Sequence, residues 1–384
     1  MSLREAENVI SATDLVEKLK RDSFDAGNLI IANGDDLKII PLRPNAKKLY
    51  LEVTTGCNFN CTTCIRHSWL DGTGQMEWAT FNNLVEQLDD FKQLETVHFG
   101  GFGEPLSHPR ALDMLETLAK KKLNLEMITN GSLLSEDIIR RLLALGMEKI
   151  YVSLDGPDDQ EYNQIREGAD FKQVYSNLKL LKQIKAERGL DKPVLNIEFV
   201  AMKSNYRRLP DLVRLLPDIG AEELLVTNVL PYHESMADEI LYDREESELF
   251  DLHQIWAMMR ARIPQMKLRT ERRCKFVEDK AMVVNWQGKV NPCYAMMHTY
   301  DCYIYGRKKT FYQHSFGNIN TDRLKNIWTD PDYAYFRQQV KEFRFPSCTD
   351  CSAAGCSPDN HTDCWGNSLS CSDCLWSRGL IVCP

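Results

Sequence analysis

From about residue 47 to about residue 260 the sequence alternates short β-rich runs with longer helical patterns, and this rhythm constrains the fold more than any other feature. The runs are KLYLEVT (48–54), TVHF (96–99), LEMIT (125–129), KIYVSL (149–154), VLNIEFV (194–200) and ELLVTNVL (223–230). Between them, TFNNLVEQLDDF, ALDMLETLAKKK, SEDIIRRLLALG and RRLPDLVRLLPDIG carry apolar residues at spacings of three and four, as helices covering a sheet require. Ser135 is placed to cap one of these helices and Gly146 to stop it. Six strand–helix units with right-handed crossovers predict an α/β fold on a parallel sheet, too few for a closed eight-unit barrel. A partial (β/α)6 barrel and an open doubly wound sheet both satisfy the pattern, and both gather ligands at the carboxyl edge of the strands. Ahead of this core, NLIIANGDDLKIIPL predicts a hairpin around Asn33-Gly34 that extends the sheet edge.

After about residue 270 the rhythm gives way to Cys, Gly, Asp, Asn and aromatic residues. The chain has 13 cysteines, three within 57–64 and ten between 274 and 383. Its start, MSLREAENVISATDLVEKLK, does not read as a secretion signal, and no run of about 18 apolar residues suggests a membrane span. A cytoplasmic setting is therefore expected, where thiols stay reduced and serve as metal ligands rather than disulfides. A net charge of −8 is the wrong sign for a protein living on phosphate attraction, so neither nucleic acid nor membrane is expected as a partner.

Directly after the first strand, TTGCNFNCTTCIRHSW sets Cys57, Cys61 and Cys64 in a C-x3-C-x2-C loop at the carboxyl edge. Three close thiolates suit three irons of a cubane, whereas a closed zinc site wants a fourth ligand, and the next cysteine lies 210 positions on. His67 in the same loop reads as a surface or packing residue. The second strand runs into HFGGFGEPLSHP, where Gly100, Gly101 and Gly103 let backbone approach a ligand ahead of Glu104. TNGSLL and SLDGPDD end the next two strands with Asn130, Ser153 and Asp155, residues that taken alone are ordinary turn formers. Glu198 and Asn228 are polar positions within apolar strands and face either packing or a cavity.

The C-x3-C-x2-C loop after the first strand resembles the signature of the radical SAM family. The resemblance implies a partial (β/α)6 barrel and a 4Fe-4S cluster on Cys57, Cys61 and Cys64 that leaves its fourth iron to S-adenosylmethionine. It further implies reductive cleavage of that cofactor to a 5'-deoxyadenosyl radical, which abstracts hydrogen from a substrate, with electrons from a low-potential donor such as ferredoxin or flavodoxin. Gly100, Gly101, Gly103 and Glu104 resemble the family's GGE motif around the methionine amino group. Asn130, Ser153, Asp155 and Arg166 fall where relatives line the cofactor site. Thr63 departs from the aromatic residue that many relatives carry before the third cysteine.

The later cysteines open C-x13-G-x4-C, at Cys274, Gly288 and Cys293, and continue C-x2-C-x4-C at Cys348, Cys351 and Cys356. Zinc ribbons would explain four or eight such thiolates. The pattern also resembles the SPASM extension of radical SAM enzymes, with one fewer residue than usual before Cys356. That resemblance implies one auxiliary cluster on Cys274, Cys293 and Cys364 and a second on Cys348, Cys351, Cys356 and Cys374. Ten cysteines exceed the eight that two cubanes need, so Cys302, Cys371 and Cys383 include spare, alternative or non-ligand thiols, with Cys302 a candidate to complete the first cluster. Trp69, Trp365 and Trp376 are expected to pack around the clusters. The ending DCWGNSLSCSDCLWSRGLIVCP, with TCIRHSW behind the first loop, further resembles radical SAM maturases associated with tungsten-cofactor oxidoreductases. The implied organisation is an N-terminal helix and hairpin (1–46), the barrel (47–265) and a SPASM-like domain (266–384). The implied substrate is a peptide, protein or cofactor precursor. A peptide-modifying enzyme forming thioether or carbon–carbon crosslinks, or oxidising a side chain as sulfatase maturases do, and a zinc-stabilised scaffold without catalysis, are the alternatives.

Overall fold

The computed structural model describes residues 27–33, 36–242, 260–262, 272–349, 351, 355 and 357–384. The expected N-terminal helix and Cys356 lie outside the described residues. The six expected strands form at Lys48–Leu51 (β3), Thr96–Phe99 (β4), Asn124–Thr129 (β5), Lys149–Ser153 (β6), Val194–Ala201 (β7) and Ala221–Asn228 (β8). They run parallel and adjacent in chain order. Among the described residues the sheet has nine strands: Arg260–Arg262 (β9) joins β8 in parallel, and Ala281–Val284 (β10) joins β3 in parallel. Val290–Asn291 (β11) then closes on β10 as an antiparallel edge.

Strand periodicity sorts the side chains. One set, including Leu49, Leu51, Val97, Phe99, Leu125, Met127, Ile150, Val152, Ile197 and Phe199, is almost completely buried in one core with the covering helices. The helices Trp78–Gln87 (α1), Ala111–Ala119 (α2), Glu136–Ala144 (α3), Phe171–Glu187 (α5) and Leu209–Ile219 (α6) contribute residues such as Phe81, Leu115, Leu142, Leu178 and Leu212. Each such aliphatic side chain withdrawn from water stabilises the fold by about 1.5–3 kcal/mol. Ser135 caps α3 by accepting from the Ile138 amide at 3.4 Å, and Gly146 leaves it with φ +67°, a turn that needs glycine. The short helix Asp159–Ile165 (α4) delivers Arg166 to the carboxyl edge.

The opposite set of strand residues faces inward and is largely polar: His98, Ser153, Glu198 and Thr227 line an interior cavity. The C-terminal cysteine-rich part is not separate from this sheet. Its AMVV run is fully buried in β10 and hydrogen-bonded to β3, a four-residue apolar run too short to stand out among cysteines and glycines. The N-terminal hairpin also differs from expectation. Asn28–Asn33 (β1) and Asp36–Pro41 (β2) pair with each other as a two-stranded sheet of their own, and Lys38 reaches Glu342 on the helix Pro331–Glu342 (α7).

Candidate active site

The loop that follows β3 carries Cys57, Cys61 and Cys64 to one cavity of about 280 Å3. Arg66 fastens the loop: its guanidinium donates to the carbonyls of Thr55 at 2.9 Å and Phe59 at 3.1 Å, and to Cys64 Sγ at 3.1 Å. Each of the other sulfurs also has a donor. Phe59 N lies 3.4 Å and Asn130 Nδ2 3.8 Å from Cys57 Sγ, and Arg166 Nη1 is 3.9 Å from Cys61 Sγ. Burial pushes the Cys57 and Cys61 thiols up, while Arg66 and Arg166 pull them back toward the thiolate. Donors and cations converging on all three sulfurs are what negatively charged cluster ligands need, and bound iron would complete the deprotonation. Among the described residues no three His, Cys, Asp or Glu side chains converge to hold a single ion. A cubane asks instead that each thiolate take its own iron. His67 turns its Nε2 to the Cys61 carbonyl at 3.0 Å, as a packing residue does.

Across the cavity, Gly101, Gly103 and Glu104 follow β4, and Asn130 follows β5. Glu104 is buried and accepts from Asn130 N at 2.7 Å, Thr129 Oγ1 at 2.8 Å and Leu106 N at 3.0 Å. Burial nevertheless lifts its carboxyl to about 6. A Cβ on Gly103 would come within 2.3 Å of the Thr54 carbonyl oxygen, so only glycine permits this approach of two loops. Gly100 stands just outside the lining, its carbonyl accepting from Tyr294 Oη at 3.2 Å.

Ser153 and Arg166 line the cavity, but Asp155 does not. Asp155 is fully buried, accepts from Val200 N at 2.8 Å and pairs with Arg166 Nη2 at 2.7 Å. Burial works against the Arg166 charge, and Asp155, Cys61, Tyr162 and Glu198 together more than offset it, keeping the guanidinium protonated. Asp155 thus positions Arg166 instead of meeting a ligand itself.

The cavity also holds Arg66 and His98, which sequence reasoning passed over, and Glu198 and Asn228, which it left between packing and a cavity. Arg66 gave only the signal of a basic residue two positions past the third cysteine. His98 is fully buried, its Nδ1 3.4 Å from Glu126, which pairs with Lys48 at 2.8 Å; its Nε2 has no hydrogen-bond partner. A histidine inside the apolar run TVHF was the available clue. Glu198 lines the same space, with Ser153 Oγ at 3.4 Å, and burial together with the nearby Asp155 charge raises it to about 7. Asn228 and Cys383 line it too.

The later cysteines are grouped differently from the expectation. Cys274, Cys293, Cys371 and Cys374 line one small, mostly apolar cavity beside Trp376. Cys371 and Cys374 thus share a cavity with Cys274 and Cys293, and neither Cys364 nor Cys302 is in its lining. The reason is local: Cys374 N bonds the Cys371 carbonyl at 3.2 Å, and this C-x2-C turn presents both sulfurs to one side. Cys302 is instead fully buried in β12 (Tyr300–Ile304), packed among Ile304, Phe311 and Leu380. On the other side, Cys351 N bonds the Cys348 carbonyl at 3.4 Å in a similar turn. Burial raises the Cys348 thiol, and the nearby Asp373 and Cys364 charges add to the effect. Trp69 stacks on His298 at 4.0 Å, whereas Trp365 is 66% exposed.

A three-thiol loop after the first strand, a glycine-glutamate turn after the second and a parallel open barrel define a radical SAM enzyme. The Radical SAM superfamily model matches residues 51–216, and the SPASM iron-sulfur cluster-binding domain model matches 274–352. The chain belongs to the radical SAM superfamily and carries a SPASM domain; its cofactors are a 4Fe-4S cluster with S-adenosylmethionine, and auxiliary iron–sulfur clusters. It is 37% identical over 346 residues to the tungsten-containing aldehyde ferredoxin oxidoreductase cofactor-modifying protein of Pyrococcus furiosus, covering 88% of this chain and 97% of that one. A more distant relative, the PqqA peptide cyclase of Bradyrhizobium diazoefficiens, is 26% identical over 183 residues, 47% of this chain and 46% of its own. The fold is also that of anSMEcpe with bound AdoMet and Kp18Cys peptide, at TM-score 0.55 and 18% identity over 86% of this chain and 95% of that one. Streptococcus suis SuiB bound to its precursor peptide SuiA shares it at TM-score 0.54 and 15% identity, over 89% and 74%. Among the described residues no helix is long and apolar enough to cross a membrane.

Proposed function

We propose that this enzyme is a maturase that abstracts hydrogen from a precursor of a tungsten-containing oxidoreductase, its cofactor in particular. The observation carrying the radical chemistry is the shared cavity of Cys57, Cys61, Cys64, Glu104, Asn130 and Arg166. When bound, the cluster and S-adenosylmethionine supply the one-electron chemistry that yields a 5'-deoxyadenosyl radical. Cys57, Cys61 and Cys64 hold the cluster. Gly101 and Gly103 would admit the cofactor close to the backbone, and the Glu104 carboxylate would suit an ammonium group. Asn130 and Ser153 would offer hydrogen bonds, and Arg166, set by Asp155, would supply a cation for a carboxylate or ribose. Loops from four strands border this space. Cys274, Cys293, Cys371 and Cys374 hold one auxiliary cluster, and Cys348, Cys351 and Cys364, with Cys356, a second. Electrons come from a low-potential ferredoxin or flavodoxin in a cytoplasmic, anaerobic setting.

The tungsten assignment rests on the long, 37%-identical match to the Pyrococcus furiosus protein. A peptide substrate is the second reading, favoured by the peptide-bound structures that share the fold. Anaerobic reconstitution tests the proposal. About 12 irons per chain are expected, with 5'-deoxyadenosine released on reduction. Replacing Cys57, Cys61 and Cys64 with Ala removes roughly four irons and all 5'-deoxyadenosine. Bound zinc without 5'-deoxyadenosine overturns the reading.

A further inference from the structure

The segment after Trp376 does not lie on the surface. Ile381, Val382, Cys383 and Pro384 line the same cavity as Cys57, Cys61 and Cys64. The segment is held from both sides of the barrel. At β8, Asn228 donates to the Leu380 carbonyl from Nδ2 at 2.8 Å and from its amide at 3.4 Å, and Val382 N donates to Thr227 Oγ1 at 2.9 Å. At β3, five strands away in the sheet, Tyr50 Oη donates to the Pro384 carbonyl at 2.7 Å and Lys48 Nζ lies 3.5 Å from it. To touch both strands the segment must cross the open side of the barrel. Its outer face, with Gly379, Ile381, Val382 and Cys383, walls a groove of about 250 Å3 shared with Tyr50 and Phe276. The segment is therefore the partition between the radical cavity and the outside.

Every one of these anchoring bonds goes to a main-chain N–H or C=O. The one bond to a side chain is Trp376 Nε1 to Cys383 Sγ at 3.1 Å. A seat that grips backbone groups and leaves side chains to the cavity recognises extended polypeptide as a class, as strand-addition grooves do. We propose that the open side of this barrel is a binding site for an extended peptide, and that residues 380–384 are its internal, displaceable occupant, which holds the Cys383 thiol where a substrate side chain would stand. The substrate reaching the radical is then a peptide segment that replaces the strap. This deepens the second, peptide reading of the proposed function and rests on that proposal for the identity of the cavity, but the seat itself needs neither cluster nor cofactor.

The test therefore uses alkylation in place of turnover. The full-length protein is treated with iodoacetamide and digested after Arg378, which places Cys383 in a fragment beginning at Gly379 with no other cysteine. In the wild type, alkylation of Cys383 is slow. The synthetic peptide GLIVAP, added in trans, is expected to accelerate it at least tenfold and saturably. Hexaproline, which has no amide N–H to give to Thr227, leaves the rate unchanged. Tyr50→Phe and Asn228→Ala, which loosen one anchor each, raise the rate without added peptide; Tyr50→Phe removes a single hydroxyl and keeps the packing. The proposal is overturned by a rate that neither peptide nor variants change, by equal acceleration with hexaproline, or by wild-type Cys383 reacting as fast as a free thiol. None of these results bears on 5'-deoxyadenosine release, so the seat and the radical chemistry fail or stand separately.

Discussion

At the scale of single residues, the site depends on charges that the cavity keeps away from water. Arg66 binds the loop backbone at two carbonyls and one ligand sulfur at once, so its planar fork both shapes the loop and steadies a thiolate. Replacing it with Met keeps the stem and removes the fork. Partners behind metal ligands are typically worth 10–100-fold, and Arg66→Met is expected to cut 5'-deoxyadenosine formation by about that factor with the Cys57–Cys64 loop otherwise intact. Iron content and cluster absorbance measured on the same sample separate loss of the cluster from loss of turnover. Glu198 gives a pH signature. Its carboxyl is raised to about 7 from the ordinary 4.5, mainly by burial, so folding favours the protonated form. Its contribution is fully present below pH 4.5 and is lost as pH rises through 7. Glu198→Gln should therefore lose less thermal stability than the wild type between pH 5 and 8, by roughly 1–3 kcal/mol. Parallel melting curves for the two proteins would sink the idea. Glu104 and Glu161 shift in the same direction, and the comparison between variants cancels them.

At the scale of elements, the parts that follow a local rule were readable in advance. The strands from β3 to β8 and the cap of α3 follow from period and capping chemistry, and each sits within a few residues of its expected place. The first cluster loop was readable for the same reason, because its three thiols share one turn at a strand end. What could not be read depends on pairings across hundreds of residues. β10 meets β3 from more than 200 positions away, and four apolar residues give no hint of their partner. The auxiliary ligands depend on which two C-x2-C turns face which cavity, and the grouping that the SPASM resemblance implies for Cys364 and Cys374 differs from the cavity lining the structure shows. The structure makes the distinction testable. Cys371→Ser is expected to lose roughly four irons, as Cys274→Ser does, because both line the same closed cavity. Cys302→Ser leaves the iron content unchanged and costs only packing in its apolar surroundings. Iron retained in Cys371→Ser but lost in Cys302→Ser would restore the earlier assignment.

For the whole molecule, the sheet joins what the sequence divides. The barrel and the cysteine-rich part share β10 and β11, and the segment from Leu380 to Pro384 ties back to β8 and β3. Buried pairs reinforce the union: His98 and Lys48 on Glu126 within the barrel, and His298 of the C-terminal part on Glu52 at the end of β3, 2.9 Å apart with both side chains out of contact with water. Breaking one partner of such a buried pair is strongly destabilising, of the order of 3–5 kcal/mol, because the other is left unpaired. The two halves should therefore unfold together. His298→Ala is expected to lower the melting temperature of both at once, read in the barrel by tryptophan fluorescence of Trp78 and in the C-terminal part by loss of iron–sulfur absorbance. Coincident transitions that shift together mark one cooperative unit. If the C-terminal absorbance is lost well below an unshifted barrel transition, the shared sheet does not couple the two parts, and the cysteine-rich region is an independent domain resting against the barrel.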